Sequence, residues 1–223
     1  MPPPTELLPI PPPPLPPHFE EVKLGRQQTQ AGVRIDRSAD LEPSQSDSKE
    51  AVDAFQKALD LATDCRTKDR ALNYLAAAYS ALDEDVELTE TLLRRAESDC
   101  ATKEIKSASY YSLGVKHWQC AYSLSTAYTD KNKQSYDPFH HRNFINPADK
   151  QKFDQCLTQG LEFVEKALEL DPEYVNAIFY KGLLCREKQK SVEDETERRQ
   201  WAEEAQKLVA KGTALQRRKE GRQ

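Results

Sequence analysis

The chain has 223 residues, a net charge of -5 and a pI near 5.5, a balance that argues against nucleic acid as a main partner. An apolar fraction of 38% against 31% charged, with mean hydropathy -0.81, suits an elongated helical protein, and no apolar run reaches the length of a membrane span. Ten of the fourteen prolines fall in the first seventeen residues and the whole chain has only seven glycines, too few turn formers for a β-sandwich or barrel.

Residues 1–17 form a proline tract, MPPPTELLPIPPPPLPP, expected to be polyproline II and solvated. Residues 18–46 show no sustained apolar period, so 1–46 reads as a flexible leader that can be deleted without loss of fold. The tract is either a spacer or a ligand for the aromatic groove of a WW-type domain. It has neither a basic n-region nor an apolar h-region, so it is not read as a signal peptide. The chain is then either cytoplasmic, or extracytoplasmic with a leader already removed.

From Asp47 the apolar residues recur at helical spacing. Asp47 with Glu50 is expected to cap a first helix that carries Ala51, Phe55, Ala58, Leu59 and Ala62 on one face. A second helix bears Leu72, Leu75, Ala76 and Tyr79, and a third bears Val86, Leu92, Leu93, Ala96 and Cys100. The fourth is long, from Lys103 to Tyr128. Asn146-Pro147 supplies a cap and a first-turn proline for the fifth, which runs to Asp171-Pro172, where the sixth starts. Ser191 with Asp194 opens a seventh, striped with Trp201, Ala205, Leu208, Gly212 and Leu215. The class is all-α, with about seven helices in a domain over 47–218, an inserted loop at 129–148 and a basic tail at 219–223.

The five cysteines lie 35, 20, 36 and 29 residues apart, too far for a CxxC metal or redox motif. An odd number spread through helices reads as small core residues rather than a disulfide framework. One pair between packed helices is the alternative, in an oxidising compartment.

The helices are self-similar in pairs. Ala51-x3-Phe55-x2-Ala58 and Gly160-x3-Val164-x2-Ala167 share one spacing, with Thr89-x3-Leu93-x2-Ala96 a weaker copy. Their partners follow Leu72-x2-Leu75-Ala76-x2-Tyr79 and Tyr110-x2-Leu113-Gly114-x2-His117, while Ile178-x2-Lys181-Gly182-x2-Cys185 keeps less of the pattern. With ALELDPEY at 167–174, this resembles the tetratricopeptide repeat family, and GLEFVEKALELDPEYVNAIFYKGLLCREK (160–188) looks like bacterial, commonly exported members. Repeat spacing is irregular, 38 residues from Ala58 to Ala96 and 71 from Ala96 to Ala167, against a standard unit of about 34.

The resemblance implies a right-handed superhelix of antiparallel helix pairs whose concave face takes a partner segment. It places Arg70, Asn73, Tyr111, Val115, Trp118, Tyr122, Asn176, Phe179, Leu183 and Arg186 on that face. Aromatics and arginines are what peptide-binding hot spots are made of. The alternative is that Tyr111, Trp118 and Phe179 pack against the seventh helix or the inserted loop. Ala77, Val115 and Tyr111 stand where the family's carboxylate-clamp residues would be, which puts capture of chaperone tails in doubt.

The loop 129–148 carries Tyr136, Phe139 and Phe144, enough to cover such a groove, and His140-His141 beside Asp137. Adjacent histidines seldom converge on one ion, so no metal site is expected. No GxSxG, HExxH or phosphate-binding loop occurs, and neither catalysis nor a cofactor is expected. Seven acids against Arg94 and Arg95 make 83–99 acidic, while Arg217, Arg218, Lys219 and Arg222 make the end basic; both read as solvated helix faces and ends, or as a route to end-to-end assembly. The function expected is a soluble, non-catalytic scaffold binding a protein or peptide partner, with a structural or assembly subunit as the alternative.

Overall fold

The computed structural model of the chain describes residues 45–131 and 146–221, all within one compact unit, Asp40–Gln223. The proline tract, nearly all of the leader, and Tyr136, Phe139, His140, His141 and Phe144 of the insert lie outside the described residues. Among the described residues there are seven α-helices and no strand. These are α1 (Gln45–Asp60), α2 (Cys65–Ala81), α3 (Asp85–Glu97), α4 (Lys103–Lys131), α5 (Pro147–Leu170), α6 (Val175–Ser191) and α7 (Glu195–Glu220).

The helix ends follow local chemistry. Asn146 accepts a hydrogen bond from the Ala148 N–H at 3.0 Å, and Pro147, which has no N–H to lose, opens α5. Asp64 accepts from both the N–H and the hydroxyl of Thr67, capping α2. Two expected caps are corrected. The first helix begins at Gln45, two residues ahead of Asp47, and Ser191 closes α6 while Asp194 alone caps α7, accepting from the Glu197 N–H at 2.8 Å. The basic residues 217–219 belong to α7 rather than to a free tail, because the helix runs on to Glu220.

Each helix packs on the next, and α4 also packs on α6. The largest apolar cluster joins α4, α5 and α6 through Tyr111, Phe153, Leu157, Val164, Tyr180 and Leu184. A smaller one holds α1 to α2 through Leu59, Leu72 and Leu75, another links α2, α3 and α4 through Ala76, Leu92 and Leu113, and a fourth joins α6 to α7 through Ile178, Cys185, Ala205 and Leu208. Close approach depends on small residues. A Cβ on Gly160 of α5 would lie 2.7 Å from a Leu184 methyl and 3.2 Å from the His117 Cβ, and one on Gly114 would lie 2.3 Å from a Val164 methyl. The glycines of the repeated pattern are therefore where backbones meet neighbouring helices.

The cysteines overturn the reading of isolated core residues. Cys65 is bonded to Cys100 and Cys120 to Cys156, with Cα–Cα distances of 5.0 and 6.1 Å. The sequence separations of 35 and 36 residues are each about one helical hairpin, the length at which the chain returns alongside itself. Only Cys185 fits the original reading: it is free and buried, its thiol pushed up to about 12 by desolvation.

Candidate partner-binding surface

Helices α4 and α6 meet in steps of seven. Tyr111 packs on Tyr174 (5.1 Å between ring centroids) and edge-on against Tyr180 (5.5 Å), Trp118 packs edge-on against Tyr180 (5.3 Å), and Ser125 reaches Glu187. Contacts advance along both helices together, so the two run in the same direction. Residues 111, 118 and 125 of α4 thus face 180 and 187 of α6 across one seam.

The bottom of this seam is ionic and closed. The Ser125 hydroxyl donates to Glu187 Oε2 at 2.8 Å, and Lys190 Nζ sits 2.6 Å from Glu187 Oε1 and 3.4 Å from Ser125 Oγ. Ser125 is 1% exposed and Glu187 4%. A carboxylate and an ammonium withdrawn from water this far are tolerable only as a pair with their remaining sites bonded. Removing either partner would strand the other charge. The sequence shows only Glu187 and Lys190 three residues apart, a spacing that reads as an exposed helical pair. The clue that was missed is the seven-residue step from Trp118 to Ser125.

The ten residues placed on a concave face divide by depth. Tyr111, at 1% exposure, is a core residue, and desolvation pushes its phenol far above the usual range. Phe179 takes the alternative position, against the seventh helix. A Cβ on Gly212 would lie 2.8 Å from its ring, so the ring rests on the bare backbone of α7. Val115 and Leu183 are half-buried against the main cluster. Asn73, Asn176 and Arg186 are half-buried, and Arg70 is exposed on α2. Trp118 and Tyr122 make one surface feature: their rings stack one helical turn apart at 5.2 Å. Tyr122 is 38% exposed, and Lys190 Nζ lies 5.8 Å from its ring centre. Among the described residues the shielded Trp118 indole N–H has no hydrogen-bond acceptor.

A second aromatic face, not anticipated from sequence, lies between α4 and α5. Phe163 stacks on His117 (5.5 Å) and on Tyr110 (6.3 Å), with Lys166 Nζ over both Phe163 and Tyr110. Burial holds the His117 imidazole below its usual range, with Lys116 adding to the effect. Glu162 and Lys166 pair at 2.7 Å, but both groups are well exposed and the pair contributes little. Within the acidic stretch Arg95 binds Asp69 of α2 and Lys116 of α4 reaches Asp85. Arg218 pairs with Glu173, and Lys219 donates to the Glu173 carbonyl, so the end of α7 is fastened to the α5–α6 turn. Among the described residues no group of His, Cys, Asp and Glu could hold a metal ion, and no helix is long and apolar enough to cross a membrane.

The buried tyrosines set a pH limit. Desolvation, with Asp171 nearby, pushes the Tyr174 phenol from 10.0 up to about 12, and burial raises Tyr180 as well. Above pH 10 the unfolded chain gives up these protons first, so the folded state holds more of them and stability falls as pH rises. Melting temperature should drop steeply between pH 10 and about 12, followed by circular dichroism. Tyr174→Phe should flatten that drop; an unchanged slope would remove Tyr174 as its cause.

Set against models of protein families, curated proteins and solved structures, the chain matches none.

Proposed function

We propose that the chain is a non-catalytic interaction module: a tetratricopeptide-like right-handed superhelix of helix pairs that holds a segment of another protein beside the α4–α6 seam. The observation that carries this reading is the exposed Tyr122 ring stacked on Trp118. An exposed ring backed by a second, stacked ring gives a partner apolar area at little cost in side-chain freedom. Helices that pack consecutively, glycines at close approaches, and the same-direction contact of α4 with α6 support the repeat architecture. Ser125, whose hydroxyl lies between Lys190 and Glu187, is sealed from any substrate, which supports a role without catalysis. Two disulfides favour an oxidising, extracytoplasmic setting over the cytoplasm.

The test is a displayed peptide library panned against the full chain. Tyr122→Ala should leave helical content intact and cut capture at least about tenfold, as loss of a hot-spot ring does. A folded variant that captures the same peptides as the parent overturns the assignment of this surface. The assembly reading draws on Tyr111 and Phe179, two of the expected groove aromatics that are instead used to pack the helices together. It is favoured if the chain sediments as an oligomer that Tyr122→Ala leaves unchanged.

A further inference from the structure

The two disulfides stand in different surroundings. Cys120 and Cys156 join the middle of α4 to the middle of α5, and Cys156 is buried inside the largest apolar cluster with Cys120 packed against it. Cys65 is the first residue of α2 and is exposed; Cys100, half-buried, lies just beyond α3. Among the described residues, neither Cys65 nor Cys100 belongs to an apolar cluster. The elements they fasten are also the less well anchored. Helix α1 rests on α2 through Leu59, Leu72 and Leu75, and the α2–α3 hairpin meets α4 through Ala76, Leu92 and Leu113. By contrast, α4, α5 and α6 share the large cluster and the α4–α6 seam.

We propose that Cys65–Cys100 is a reducible bond that controls the order of the α2–α3 hairpin, while Cys120–Cys156 is a permanent structural bond. The reductant is a dithiol, a small one or the paired thiols of a disulfide reductase. Its thiolate attacks the sulfur of Cys65, an exposed residue, forming a mixed disulfide and expelling the Cys100 thiolate, which takes a proton. The second reductant thiolate attacks the mixed disulfide, releasing Cys65, which is protonated in turn. The reductant leaves as a disulfide, so two electrons and two protons have passed to the protein. Access decides the order: Cys65 is exposed, whereas Cys156 is buried in the main cluster and Cys120 is half-buried against it. Once the bond is open, α2 and α3 are held at that end by packing and by the Arg95–Asp69 ion pair. Neighbour-only contacts let an end segment loosen while the rest holds. Arg70 and Asn73 travel with α2, so reduction would withdraw them from any partner that uses them. The inference holds whether or not Tyr122 binds a partner.

The test uses the full chain, folded and oxidised, treated with graded dithiothreitol, quenched in acid and alkylated before peptide mass analysis. Cys65 and Cys100 should become alkylated at about one tenth of the reductant concentration that opens Cys120 and Cys156. At the intermediate concentration, amide exchange should quicken over 65–97 and stay slow over 147–191. Three results would overturn the proposal: both bonds opening together, Cys120–Cys156 opening first, or all five cysteines already free in the isolated protein. A chain with Cys65→Ser and Cys100→Ser provides a reductant-free check. It should reproduce the faster exchange over 65–97 alone, and unchanged exchange there would equally refute control by this bond.

Discussion

A chain truncated after Ser191 will aggregate, or bind a hydrophobic dye that the parent does not bind. Helix α7 covers Ile178 and Cys185, both fully buried, with Ala205 and Leu208, and its Gly212 receives the Phe179 ring. Exposing a buried Ile or Phe forfeits about 1.5–3 kcal/mol each. Several such losses on one face approach the whole stability of an ordinary domain, about 5–15 kcal/mol. The bared face of α6 would also be a continuous apolar patch, which favours association over a monomeric intermediate. Sedimentation and dye fluorescence read the result. A truncated chain that stays monomeric and melts with the parent would mean that α7 is dispensable to the core and its stripe is free for another use.

Replacing Cys120 and Cys156 together by alanine should lower stability by about 2–5 kcal/mol. At about 2–4 °C per kcal/mol for a chain of this size, the melting temperature should fall by roughly 10 °C. The bond closes the long excursion between α4 and α5 and lies beside Phe153 and Leu157, so its loss both frees the unfolded chain and loosens the main cluster. Tyr128 offers only partial compensation, donating to Asp149 and accepting from the Asn146 N–H where α5 begins. An unaltered melting temperature would show that the two thiols are not bonded in the protein.

The helices were legible because their signals are local. Asn146-Pro147 is a cap and a first-turn residue wherever it stands, and the Gly160–Val164–Ala167 spacing marks one face of α5 without reference to its neighbours. Depth was not legible. Position within a repeated pattern gives the face of a helix but not what covers it. Tyr111 was placed on an open face and is instead walled in by Tyr174 and Tyr180. Phe179 turned to α7 because residue 212 has no side chain, a fact about another helix. The cysteine pairs failed for the same reason: a separation of 35 or 36 residues carries no sign of adjacency until the hairpin is folded. Ser125, Glu187 and Lys190 were overlooked because a short-range charge pair reads as surface.

The stepwise contact of α4 with α6 restricts how such a chain can change length. One residue inserted between Trp118 and Ser125 turns everything after it by about 100°, carrying Ser125 away from Glu187 and leaving that carboxylate short of a donor. Seven inserted residues turn it by only about 20°, and the same side chains face α6 again. Length variants of α4 should therefore appear in multiples of seven, matched by equal additions to α6. Connections between helices are under no such arithmetic, since each doubling of a loop costs only about 0.6 kcal/mol. Natural variation and engineered insertions alike should collect there, with the two seam helices changing only together.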